Sequence, residues 1–304
     1  MQDLERAVTE LANAQGAPLV GFAPIERFEN APPQYHPHTI FPPTRTAIAI
    51  ALPQPRGALK AVEEGCYWQS YNCDSYWYLN EVQAPKILRD IVMLLEQHGH
   101  TSVPVHNPFH PRSGRQIRED QPWGPDGMVS LRVIGCAAGL GELGMSKVFL
   151  TPQFGPRQRV FAVFTDAVLE PTPLLQEHVC DGCGACAREC EANAIGTERT
   201  ETFEIEGRTF GHAPLDCKAC GTVHRGDDPR YSPFWNGSEK PGEKPSYNEF
   251  SKHRFRHLAI CVGRGCVRAC LDHLEKAGRL EAKFHTPMIE GKRWKLNEPP
   301  AAGK

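Results

Sequence analysis

The sequence predicts an α+β fold with a cysteine-rich, metal-binding second part, and three observations predict it. Through the first 175 residues, short apolar runs of strand length alternate with stretches of helical spacing. Nine of the 12 cysteines crowd between Cys180 and Cys270. Glycine and proline, 27 of each in 304 residues, are spread along the chain and not pooled in one tract, which favours a loop-rich fold. With 40% hydrophobic and 23% charged residues, the composition is that of a globular protein.

The elements follow in order. Leu4, Val8, Leu11 and Ala12 recur at helical spacing and Gly16 stops them, so residues 3–15 read as a helix. Residues 18–23 and 47–52 are apolar runs bounded by proline, suited to buried strands, with a Pro/His-rich loop at 32–44 between them. From Tyr78 to Gln97, Leu79, Val82, Ile87, Ile91, Leu94 and Leu95 keep helical spacing across Pro85, and Gly99 ends the helix. Residues 101–105 read as a strand, and 106–127, rich in proline and glycine, as a long loop of the kind that borders a site. The small-residue stretch Gly135–Gly144 predicts a helix and then a tight glycine turn. Strands follow at 148–150 and 159–165. Pro171 and Pro173 mark a boundary. The division expected is a first domain over 1–175, a cysteine-rich domain over 176–285 and a tail over 286–304.

Charge and patterning narrow the function. Lys and Arg number 34 against 36 Asp and Glu, so no basic footprint argues for nucleic acid. No run approaches the roughly 18 apolar residues of a membrane helix. The start, with charges of both signs, resembles neither a secretory nor a twin-arginine leader. The expectation is a cytoplasmic chain whose cysteines stay reduced, which favours metal over disulfides.

Cys180, Cys183, Cys186 and Cys190 have the spacing C-x2-C-x2-C-x3-C. Three thiolates on a tight turn of small residues cap one four-iron cubane, while the fourth points to a second cluster. Cys261, Cys266 and Cys270 give three ligands more, and Cys217 or Cys220 the last. Crossover pairing assigns Cys180, Cys183, Cys186 and Cys270 to one [4Fe-4S] cluster, and Cys190, Cys217, Cys261 and Cys266 to the other, with Cys220 spare. Structural zinc is the alternative, but four cysteines within 11 residues suit a cubane better. Cys66, Cys73 and Cys136 read as core or pocket thiols.

Residues 138–144, then 148–157, then 163–171, leading directly into the cysteine motif, resemble the superfamily of cobalamin-dependent reductive dehalogenases and epoxyqueuosine reductase. Val20–Pro24 is similar to the opening strand of that family. The resemblance implies a nitroreductase-like α+β domain holding a base-off cobalamin, followed by a two-cluster bacterial ferredoxin-like domain. Electrons from an external low-potential donor of ferredoxin or flavodoxin type would pass through two [4Fe-4S] clusters to the cobalamin, which reduces a small or modified substrate. Gly139, Leu140, Gly141 and Gly144 would approach the corrin, though helix–strand packing explains the same glycines.

Proton donors come next. Tyr71 and Tyr76 precede the long helix, and dehalogenases of this family use a tyrosine beside a basic residue. Asp126 falls one residue out of register with the aspartate that epoxyqueuosine reductase uses. Arg132 could pair with a substrate anion, and His106 and His110 could line a pocket. Glu142 stands where epoxyqueuosine reductase has a tryptophan, closer to the dehalogenase pattern. The C-terminal repeats by which that reductase grips tRNA are not found in the sequence, so tRNA is not the expected substrate. The competing reading is a two-cluster electron-transfer protein that reduces a partner's corrinoid or flavin without binding cobalamin itself.

Overall fold

Side-chain alternation along one central strand organises the first half of the chain. The computed structural model describes residues 2–106, 129–226, 230–233, 261, 264–289 and 296. Helix α1 (Gln2–Ala14) leads into strand β1 (Leu19–Pro24) and strand β2 (Thr46–Pro53). After helix α2 (Arg56–Glu63) come a π-helix (Tyr71–Gln83), helix α3 (Ala84–Gln97) and strand β3 (Ser102–Val105). Helix α4 (Leu131–Ala137), the short strands β4 (Glu142–Leu143) and β5 (Phe149–Leu150), and strand β6 (Gln158–Thr165) complete this part. The sheet order is β1-β2-β6-β3, antiparallel throughout, with Ile50 of β2 opposite Val20 of β1 and Phe161 of β6.

Both faces of the sheet are covered. Ile48, Ile50 and Leu52 point with Phe161 and Val163 towards α1 and α3, where Val8, Leu88, Ile91 and Leu95 meet them. The alternate residues Ala47, Ala49 and Ala51 face α4 and the glycine turn. Alanine on that face lets backbone come close, and period-2 alternation sorts large from small side chains onto opposite sides.

The expected helix over residues 78–97 divides in two. It is α-helical only from Ala84. The preceding 13 residues form a π-helix, whose last cap bond runs from the Ala84 N–H to the Leu79 carbonyl. Pro85, in the first turn of α3, has no N–H for the carbonyl four residues back, so the wider ladder runs up to it.

The second half carries helix α5 (Ala185–Arg188), the hairpin of β7 (Glu201–Ile205) and β8 (Arg208–His212), helix α6 (Cys217–Arg225) and helix α7 (Cys266–Lys276). The sequence reading passed over the hairpin, although Glu206 and Gly207, both at positive φ, follow a run of alternating polarity. Asp126, His110 and nearly all of the loop expected at 106–127 lie outside the described residues, as does most of the tail. Among the described residues no helix is long and apolar enough to cross a membrane.

Candidate functional site

The cysteines sort into two neighbourhoods. Burial, and then the thiols of Cys180, Cys186 and Cys183, push the Cys270 thiol well up. Burial, and then Cys266, Cys220, Glu191 and Cys190, do the same to Cys261. Cys266 is pushed up to about 12 by burial, then by Cys190 and Cys220. None of these thiols is in a disulfide. Crowded thiols in a dry setting repel one another as anions and are held together by a shared metal centre, so each set of four has the donor chemistry of an iron–sulfur cubane.

The second neighbourhood differs from the expected one at a single position. Cys217, the first residue of α6, is exposed, whereas Cys220 lines a cavity together with Cys190, Cys261 and Cys266. Asp216 caps this helix by accepting from the Lys218 and Ala219 N–H groups at 3.0 and 2.9 Å, which sets which face of α6 turns inward. The structure thus brings Cys220, and not the expected Cys217, to the cavity with the other three cysteines of this set.

The first neighbourhood is anchored from the glycine turn. Glu142 is 2% exposed and accepts from the Cys180 backbone N–H at 2.7 Å through one oxygen and pairs with His178 Nδ1 at 2.9 Å through the other. The turn itself faces the chain and not the cavity. Gly139 has φ +73, and a Cβ there would lie 2.2 Å from the Pro173 carbonyl oxygen. At Gly141 a Cβ would lie 2.0 Å from that of Leu150. None of Gly139, Leu140, Gly141 and Gly144 lines the cavity. Gly139 and Gly141 are accounted for by close backbone packing, the alternative expected beside corrin contact, which needs hydrogen in place of a side chain.

The cavity, of about 410 Å³, extends from the second set of thiols to the π-helix. Apolar walls come from Leu131, Val148, Phe149, Phe161, Ile195 and Val223. Residues four or five apart fall on one side of a π-helix, and Tyr71, Tyr76 and Asn80 all line the cavity. Arg159 of β6 holds this group. Its Nε donates to the Ser75 carbonyl at 2.8 Å, its Nη2 to the Tyr71 hydroxyl at 3.4 Å, and its guanidinium sits 4.4 Å from the Tyr76 ring centre. Gln54 Nε2 also donates to the Tyr71 hydroxyl, at 3.4 Å. The Tyr71 oxygen thus accepts, leaving its own hydrogen to donate elsewhere. The sequence points to the tyrosines but not to Arg159, in strand β6, or Gln54, just past β2, since neither position carries a local signal.

Both polar atoms of the buried Asn80 side chain, and the Ser75 hydroxyl, lack a hydrogen-bond partner. Buried groups of this kind are ordinarily satisfied, so the Asn80 amide, which lines the cavity, could bond a polar rim group of a bound cofactor, such as a corrinoid's amides. His106 is described but does not line the cavity, whereas Arg132 does.

No protein-family model matches the chain. By sequence it is 43% identical over 70 residues to the tetrachloroethene reductive dehalogenase of Sulfurospirillum multivorans, covering 22% of this chain and 14% of that protein. It is 33% identical over 126 residues to a tetrachloroethene reductive dehalogenase of Desulfitobacterium hafniense, covering 38% of this chain and 21% of that one. The matches therefore span about a fifth or less of those relatives' lengths. A solved reductive dehalogenase, described in terms of B12-dependent dehalogenation, aligns with a TM-score of 0.51 and 19% identity over 72% of this chain and 29% of its own. In sequence and in fold alike, the chain is similar to reductive dehalogenases, a branch of the superfamily that its glycine turn and cysteine spacing resemble.

Proposed function

We propose that the chain is a cytoplasmic iron–sulfur and cobalamin-dependent reductase of a small or modified substrate. One observation carries this reading: a single cavity has the thiols of Cys190, Cys220, Cys261 and Cys266 at one end and Tyr71, Tyr76 and Arg159 at the other. Two [4Fe-4S] clusters, one on Cys180, Cys183, Cys186 and Cys270, the other on this second set, would bring in single electrons from a ferredoxin- or flavodoxin-type donor. Cobalamin, when bound, supplies a strongly reducing nucleophilic metal. Gln54, Asn80 and Arg159 would hold its rim, and the apolar walls would exclude water. Tyr76 or Tyr71 would deliver the proton that reduction of the substrate consumes. Positive charge over the Tyr76 ring stabilises the negative charge that its oxygen gains as the proton leaves. The organisation expected from the sequence, domains over 1–175 and 176–285 and a tail over 286–304, is part of this proposal.

Titrating the reconstituted protein with cobalamin tests it. Uptake with the absorption spectrum of the base-off form is expected. Intact clusters with no uptake would leave a two-cluster electron carrier as the function. Tyr76→Phe and Tyr71→Phe then identify the donor. The variant that loses turnover by about 10²–10⁴-fold, while cobalamin is still bound and reduced, carries it.

A further inference from the structure

We propose that Arg132, seconded by Arg159, is an anion-recognition site, so that the substrate taken by this cavity is a small organic anion, a carboxylate or a phosphate. The inference rests on the reading above and adds the substrate's charge.

Among the described residues, the cavity walls carry a positive charge that no carboxylate pairs with. Arg132, in the first turn of α4, is exposed, but it opens onto the cavity it lines. Among the described residues it makes no hydrogen bond or ion pair. Surrounding protein, and then Arg159, pull its guanidinium below the usual range, while the thiols of Cys220, Cys266 and Cys217 act in the opposite sense. Arg159 is oriented by Ser75 and Tyr71 and adds a second positive charge to the same space. Glu191 is the one carboxylate among the described lining residues, and Arg264 already pairs with it.

Two guanidinium groups facing one cavity repel each other, and an anion between them relieves that repulsion. A guanidinium is also the side chain whose fork of donors matches carboxylate and phosphate oxygens. The recognised group would lie between the second set of thiols and the tyrosines, where reduction would take place.

Three sources of negative charge could satisfy Arg132: a substrate, the phosphate in a cobalamin's nucleotide loop, or the neighbouring cluster. Fluorine NMR of 4-fluorobenzoate with the cluster-reconstituted protein, free of cobalamin, separates them, with neutral fluorobenzene as control. Saturable binding of the carboxylate and not of fluorobenzene is expected. Arg132→Met should weaken it at least about tenfold, equivalent to about 1.4 kcal/mol, and Arg132→Lys should restore part of the loss. Equal binding of the neutral control, no binding, or unchanged affinity in Arg132→Met would overturn the proposal. If the variant loses affinity for cobalamin but not for cobinamide, which lacks the nucleotide phosphate, and fluorobenzoate never binds, the charge serves the cofactor and the proposal falls. It falls too if only a cluster midpoint potential moves. Carboxylate binding without any cobalamin uptake would sustain this site while defeating the reading of the chain as a cobalamin enzyme.

Discussion

Cys217 and Cys220 are three residues apart in one helix and identical in chemistry, yet they have different surroundings. The difference is tertiary: only Cys220 faces the cavity shared by Cys190, Cys261 and Cys266. Replacing Cys220 by Ser should halve the iron of the reconstituted protein from about eight atoms per chain, because one of two four-iron clusters loses a ligand. Cys217→Ser should leave it unchanged. Iron analysis with electron paramagnetic resonance of the reduced protein reads both, and the opposite pattern would return the ligand to Cys217. Glu142 teaches the same lesson. Its place in the glycine turn was legible, but its bond to the Cys180 amide joins residues 38 apart in sequence.

At the scale of elements, the glycine turn and the π-helix show where local patterns suffice and where they do not. Small residues at 139–144 announced a close approach, correctly, but not to what. Leu150 and Pro173 supply the answer, since their carbonyl oxygens stand where a Cβ of Gly141 or Gly139 would be. Gly141→Ala should destabilise the fold by about 1–3 kcal/mol, the usual cost of forcing atoms into a full core. Gly57→Ala is the control. It lies in α2 with nothing within 4 Å of the added methyl, and should stabilise by about 0.5–1 kcal/mol. Urea unfolding of the two variants gives both signs. Equal stability of Gly141→Ala and the parent would mean that the turn has room for a ligand after all. The π-helix was read as part of an α-helix because Leu79 and Val82 fit that period; in the structure Leu79 is buried and Val82 is exposed.

Across the whole molecule, buried ion pairs bind the cysteine-bearing half to the first half. Arg268 of α7 grips both carboxylate oxygens of Glu63 at the end of α2, with both side chains less than a tenth exposed. Nearby, Arg56 forks onto Glu275 at 2.8 and 2.7 Å. Such pairs contribute little net stability over an apolar replacement, but breaking one strands a charge. Glu63→Leu should cost about 3–5 kcal/mol, and adding Arg268→Met should recover most of it. Calorimetry of both single variants and the double variant checks this, and single losses that add in the double variant would show that the two residues act independently.

By itself the sequence determined the α+β class, most strands and helices of the first half, and the cysteine spacing that singles out residues 180–190. Each of these is written locally, in the period of apolar residues or in ligands a few positions apart. The tertiary structure decided that Cys220 and not Cys217 lines the cavity with Cys190, Cys261 and Cys266, that Arg159 and Gln54 attend the tyrosines, and that Arg132 has no ion pair among the described residues. Those facts depend on chain segments separated by 17 to about 90 residues meeting around one cavity, and the period of a sequence carries no record of such meetings.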